Sequence, residues 1–203
     1  MELKKVLAER RSIRIFRPEP LPPGTIQELL EAARLAPSGT NLQPWRFLAV
    51  TSEENRQKLA ACTPNLNFIA KAPLTMVCCA DRSSLDTRPE RVRELALSGA
   101  FAGTDLEKFS FSDYQEKAAR DEAANLAYLN VNVAIAIEQM ILRAVDLGLG
   151  SCWVMLFNPK KVKQLFALPD SLSVSALVPF GYPGQQPAAR PRLTLEEIYL
   201  GEV

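Results

Sequence analysis

Four arginines fall within eight residues, Arg10, Arg11, Arg14 and Arg17, with Ser12 among them. If Arg10–Phe16 is extended, successive side chains alternate between faces. Arg10, Ser12 and Arg14 then share one side, with Arg11, Ile13 and Ile15 on the other. Two guanidiniums and a hydroxyl converging in this way suit a phosphate dianion, held by bidentate, charge-assisted hydrogen bonds. The alternative is a solvated basic edge. Arg190-Pro191-Arg192 repeats the device near the end of the chain, where the stiff proline would hold both guanidiniums on one side; the alternative there is a charged tail. A polar loop, Pro37-Ser-Gly-Thr-Asn-Leu-Gln-Pro-Trp45, offers hydrogen bonds from Ser38, Asn41 and Gln43, and Gly39 frees its backbone to approach a ligand; an ordinary turn is the other reading. Trp45 suits the core better than a stacking role. Glu138 is the one acid amid an apolar helix and is expected to pair structurally with an arginine; the alternative is a catalytic role.

The composition removes several chemistries. Histidine is absent, so His-based triads and His-ligated metal sites are excluded, and acid–base work needs another agent. The net charge of +1 gives no global pull toward nucleic acid or an anionic membrane. Cys62, Cys78, Cys79 and Cys152 have no CxxC spacing, and two of them lie in an apolar run. Reduced thiols and a cytoplasmic location are expected, and the first residues lack the apolar run of a signal peptide.

These residues need elements to position them, and one stretch organises the rest. From about Tyr114 to Leu147 the pattern predicts a long helix, with Ser112 and Gln115 as a capping box and Gly148 as a left-handed stop. Val133 to Ile137 are five apolar residues in a row and point in every direction on a helix, so burial all round is expected. Polar interruptions from Asn130 to Asp146 argue against a membrane span. At about 1.5 Å per residue the helix is longer than one small domain needs, which suggests that a second copy of the chain covers the excess. Around it the sequence predicts helices over residues 2–10, from Thr25 (capping box with Glu28; buried stripe Ile26, Leu29, Leu30, Ala33), over 53–62, and after Asn158-Pro159. Strands are predicted over Arg46–Thr51, Leu74–Ala80, Ser151–Met155 and Val174–Gly181, where Pro179 implies an edge or a bulge. Gly148-Leu-Gly150 is too weak for a dinucleotide fingerprint, because it follows a helix. A single α/β or α+β layered domain over residues 1–203 is expected, with 81–112 hard to assign.

Taken together, Arg10-Arg-Ser-Ile-Arg-Ile-Phe-Arg17, Glu31 through Phe47, Leu147-Gly-Leu-Gly-Ser-Cys-Trp153 and Val178-Pro-Phe-Gly-Tyr-Pro183 with Arg190 and Arg192 resemble the flavin-dependent nitroreductase family. The resemblance implies an α+β fold, a mixed central sheet flanked by helices, in an intertwined homodimer with FMN at the subunit interface. It further implies that Arg10, Ser12, Arg14, Arg190 and Arg192, with Arg11 beside them, hold the phosphate, ribityl chain and pyrimidine edge. Pro37, Ser38 and Gln43, with Gly39 and Asn41 in the same loop, would come from the partner subunit. Met155 and Leu156 match residues whose backbone faces the hydride-accepting nitrogen, and Asn65 or Asn67 matches a pyrimidine-edge contact. The implied activity is NAD(P)H-dependent reduction of a nitroaromatic, quinone or similar flat electrophile in a ping-pong cycle; other redox tasks, or flavin binding without turnover, are the alternatives. Within the variable residues 81–112, at least one of Phe101, Phe109 and Phe111 is expected to form an aromatic lid; the alternative is that all three are core residues of a local helix pair.

Overall fold

The computed structural model describes residues 1–108 and 121–203. An antiparallel sheet of four strands carries the core, in the spatial order β1 (Trp45–Val50), β2 (Leu74–Asp81), β4 (Leu172–Gly181), β3 (Gly150–Ser151). Every residue of β2 is buried, the polar Thr75 and Asp81 included, as in a strand covered on both faces. Among the described residues the parallel component is one isolated bridge, between Ser12 and Ser151. Around the sheet lie α1 (Leu3–Glu9), α2 (Thr25–Arg34), α3 (Glu53–Ala60), α4 (Phe68–Lys71), α5 (Arg88–Leu97), α6 (Glu122–Asp146), α7 (Pro159–Leu165) and α8 (Leu195–Ile198), which makes the class α+β. The two main core clusters lie on opposite sides of the sheet. One joins α2 and α6 through Leu29, Ala33, Val133, Ile137 and Met140; the other joins α3, α4 and α7 through Leu59, Ile69 and Val162.

The central helix, α6, has 25 residues. Asp121 caps it, its carboxylate accepting from the Ala124 N–H at 2.7 Å, whereas the expected Ser112–Gln115 box lies outside the described residues. The helix stops as expected. Gly148 takes φ +75°, and its N–H and that of Leu149 reach back to the carbonyls of Val145 and Ala144, a Schellman closure. Burial all round is not what a single chain shows. Val133, Ala136 and Ile137 are fully buried, while Val131 and Ile135 lie 61% and 38% exposed on the opposite face. The helix is long and apolar enough to pass a length-and-composition test for a membrane span, despite the polar residues that argued against one; here one face of it packs into the protein core.

Three smaller expectations change. Thr25 and Glu28 form no capping box: Gly24 caps α2 at φ +86°, Thr25 donates to the Pro22 carbonyl, and Glu28 pairs instead with Arg143 at 2.8 Å. The strand expected over Ser151–Met155 is cut to Gly150–Ser151 plus one bridge at Val154. Pro179 sits in an interior strand rather than at an edge. Its carbonyl accepts from Cys152 just past the end of β3, so its nitrogen, which has no hydrogen to donate, points to the side where that strand has stopped. The bulge is near Ser175, whose hydroxyl donates to Asn130 Oδ1 at 2.7 Å.

Candidate functional site

The arginine segment runs extended from Arg10 and is stitched to the sheet twice, by the Ser12–Ser151 bridge and by a bridge from Phe16 to Pro183. Burial along it departs from strict period-two alternation: Ile13 and Phe16 are buried, whereas Arg14 and Ile15 are exposed. Ile13 turns inward against Gly150, where a Cβ would stand 2.5 Å from the isoleucine side chain, which is why glycine is required there. On the other face Arg10 acts electrostatically on Glu138 of α6, and Arg14 on Cys152 just after β3. Burial pushes the Glu138 carboxyl above its ordinary pKa, and the charge of Arg10 opposes that shift without a close ion pair. Burial likewise pushes the Cys152 thiol up, opposed by Arg14. Neither Arg10 nor Arg14 has a carboxylate partner within 4.0 Å among the described residues, unlike Arg17, which is paired with Glu19 at 3.1 Å. Arg11 departs from this pair: its guanidinium bonds to the carbonyls of Ala8 and Arg10, and it lines a separate groove with Glu9, Ile13 and Arg17.

The loop Pro37–Gln43 closes over α6. A 3-10 turn, Gly39–Asn41, places Thr40, Asn41 and Gln43 at φ +54°, +52° and +50°, three left-handed residues that are not glycine. Such conformations are held from outside. The Gly39 N–H donates to Asn132 Oδ1 at 2.8 Å, and the Tyr128 hydroxyl donates to the Gly39 carbonyl at 2.8 Å. Gly39 makes room for that tyrosine, since a Cβ would meet the hydroxyl at 2.2 Å. Ser38 Oγ accepts the Gln43 N–H at 3.0 Å, and Gln43 Nε2 donates to Asn41 Oδ1 at 3.0 Å. These bonds leave the Ser38 hydroxyl hydrogen, Gln43 Oε1 and Asn41 Nδ2 for a ligand, while Pro37 is exposed. Trp45 is in the core, as expected.

The remaining expected residues are scattered in one chain. Met155 and Leu156 are 70% and 62% exposed just beyond the Val154 bridge, an open apolar step beside the sheet. Asn65 is left-handed at φ +60°, and Asn67 opens α4 and lines a cavity of about 980 Å³ whose walls include none of Arg10, Ser12 or Arg14. Arg190 and Arg192 lie in an exposed tail, where Arg192 bonds only to the carbonyls of Arg190 and Pro191. No group of metal-ligating side chains occurs among the described residues.

The sequence model of the Nitroreductase family matches residues 7–182. The chain belongs to the Nitroreductase family. It is 31% identical over 200 residues to the NADH dehydrogenase of Thermus thermophilus, covering 98% of this chain and 96% of that one. It is 25% identical over 199 residues to the FMN reductase [NAD(P)H] of Bacillus subtilis, covering 97% and 72%. A nitroreductase family protein from Streptococcus pneumoniae superposes with a TM-score of 0.79 at 25% identity, covering 99% and 100%. For fold alone, a structure from Exiguobacterium sibiricum solved in complex with FMN gives 0.84 at 19% identity, covering 100% and 98%.

Two residues that hold the candidate loop have no counterpart among the residues expected from the sequence. Asn132 and Tyr128 anchor the polar loop, but Asn132 was read only as a polar interruption of the helix and Tyr128 was given no role. Their spacing, four residues apart, puts both on one helical face, the signal that was available.

Proposed function

We propose that this chain is an FMN-dependent NAD(P)H oxidoreductase that reduces nitroaromatics, quinones or similar flat electrophiles, working as a homodimer in the cytoplasm. One observation carries the reading: Arg10 and Arg14, on either side of Ser12 in the chain, have no carboxylate within ion-pair distance among the described residues, which leaves them as donors suited to a phosphate. Arg190 and Arg192, likewise without acidic partners, supply further cations once the tail is placed. Bound FMN supplies hydride acceptance and donation. The chain's own residues hold the phosphate end, present the Met155–Leu156 backbone, and offer Ser38, Asn41 and Gln43 from the clamped loop of the partner. A cation such as Arg14 near the ring would favour the reduced, anionic form. The dimer is supported by the exposed stripe of Val131 and Ile135 on α6 and by the tail, whose Leu193, Leu195, Ile198, Tyr199 and Leu200 all face solvent in one chain.

The test is an absorbance spectrum of the purified protein followed by anaerobic titration with NADH or NADPH. A flavin spectrum of about one FMN per chain, bleached rapidly by the nucleotide, is expected. FMN bound tightly with no bleaching would leave a flavin-binding module without this turnover, and equal affinity for FMN and riboflavin would overturn the phosphate assignment.

A further inference from the structure

The variable stretch holds a cation that the reading above does not use. Arg88 is the first residue of α5, and its guanidinium carbon lies 5.4 Å from the centre of the Tyr128 ring. Tyr128 is the residue whose hydroxyl holds the Gly39 carbonyl, and α5 itself packs on the turn Gly39–Asn41, so Arg88 stands directly behind the candidate cofactor loop. Two of its nitrogens, Nε and Nη2, are buried and have no hydrogen-bond acceptor. The neighbouring acids offer none: Glu94 pairs with Arg91 at 2.7 Å, and Asp86 and Glu90 are exposed.

Two guanidinium nitrogens buried without an acceptor are costly, and stacking on an aromatic face returns only part of that cost. Nε and Nη2 are also not an arbitrary pair. They form the side-on edge of the guanidinium, whose two parallel N–H bonds match the oxygens of a carboxylate or phosphate. The acceptor is therefore missing at the edge built to take an oxyanion. Access needs only a small displacement, because α5 buries no residue of its own, the mark of an element held weakly to the rest of the fold.

The geometry points to Arg88 as the residue that holds the carboxylate or phosphate of a flat ligand bound over the flavin. This rests on the flavin reading above. The oxyanion has two sources, a carboxylate on the electron acceptor or the extra phosphate of NADPH. Charge selectivity would then come from the variable segment rather than from the arginines that hold the cofactor.

The test measures dissociation constants on the oxidised FMN-loaded protein without turnover, by perturbation of the flavin spectrum. The probes are two matched pairs: 4-nitrobenzoate against neutral 4-nitrobenzyl alcohol, and NADP+ against NAD+. Wild type is compared with Arg88→Gln and with Arg88→Lys, which keeps the charge but loses the fork. If the acceptor is the source, Arg88→Gln weakens 4-nitrobenzoate about ten-fold or more and leaves the alcohol within about two-fold. If the nucleotide is the source, the selective loss falls on NADP+. Arg88→Lys should recover part of either loss. Uniform losses across each pair, or none, overturn the proposal, and so does a lysine variant no better than glutamine. FMN occupancy is read from the same spectra. A wild type that takes up no FMN sinks the flavin reading and this one with it, whereas full occupancy without charge selectivity sinks this one alone.

Discussion

Arg10 and Glu138 show how a charge is kept ready for a ligand. The sequence placed Glu138 in a structural pair with an arginine, but the two interact through space, and burial leaves the Glu138 carboxyl above its usual pKa. Arg10 thus has no close carboxylate partner among the described residues, and in the proposed reading it is the cation that an incoming phosphate would meet. Replacing Arg10 or Arg192 by Ala should cost about 1.5–3 kcal/mol of FMN binding, the range of a charge-assisted hydrogen bond, with little change for riboflavin. Equilibrium titration with both flavins checks this, and equal losses for the two would refute it. The shift of Glu138 also has a sign. A carboxyl whose pKa is raised on folding favours the folded state when protonated, and that advantage is lost as pH rises through its folded pKa. Glu138→Gln should therefore raise the melting temperature at pH 7.5 and lose that gain as pH falls into the ordinary carboxylate range. Melting curves at the two ends test it; an equal gain at both would remove the electrostatic explanation.

Among the elements, the loop Pro37–Gln43 is the part whose composition was readable and whose geometry was not. Ser38, Asn41 and Gln43 announced a polar loop with hydrogen-bonding capacity, yet much of that capacity is spent inside the loop, on Gln43 N–H to Ser38 and Gln43 to Asn41. The partners that hold it are Tyr128 and Asn132, 89 and 93 residues away from Gly39, and nothing local in a sequence reports such a contact. Periodicity did locate β2, the end of α6 at Gly148, and α7 behind its Asn158 cap, because runs, stops and caps are local signals. It failed at β3, where pairing with β4 rather than propensity decides how far the strand extends. The lid reading keeps only Phe101, half-buried, within the described residues; Phe109 and Phe111 lie outside them. The loop clamp itself is testable. Gly39 has no left-handed dihedral to excuse it, so Gly39→Ala is resisted by the Tyr128 side chain, chiefly its hydroxyl 2.2 Å from the added carbon, with two ring carbons at 3.0 Å. It should cost about 1–3 kcal/mol of stability by overpacking. Combining it with Tyr128→Phe should cost less than the sum of the two single changes, since one group causes both effects. Additive losses by denaturant unfolding would show that the glycine answers to something else.

At the scale of the molecule, the even run Val133 to Ile137 divides between two jobs. Ile137 is fully buried in the chain's own core, packed toward the sheet and α2, whereas Ile135 is 38% exposed. Ile135, with Val131 one turn before it, is the surface a second copy would cover; in the family arrangement proposed here that copy also delivers Pro37, Ser38 and Gln43 to the flavin. Assembly and cofactor binding should then fail together at one position and separately from folding at the other. Ile135→Asp would bury an unpaired charge in the dimer but leave it hydrated in the monomer, so it should yield a folded chain of about 22.5 kDa by light scattering with little FMN bound. Ile137→Ala should instead lose about 2–5 kcal/mol of stability through its cavity while the surviving folded protein stays dimeric and yellow. An Ile135→Asp protein that is monomeric yet keeps its FMN would show that one chain suffices for the site, and the shared-site reading would have to be given up.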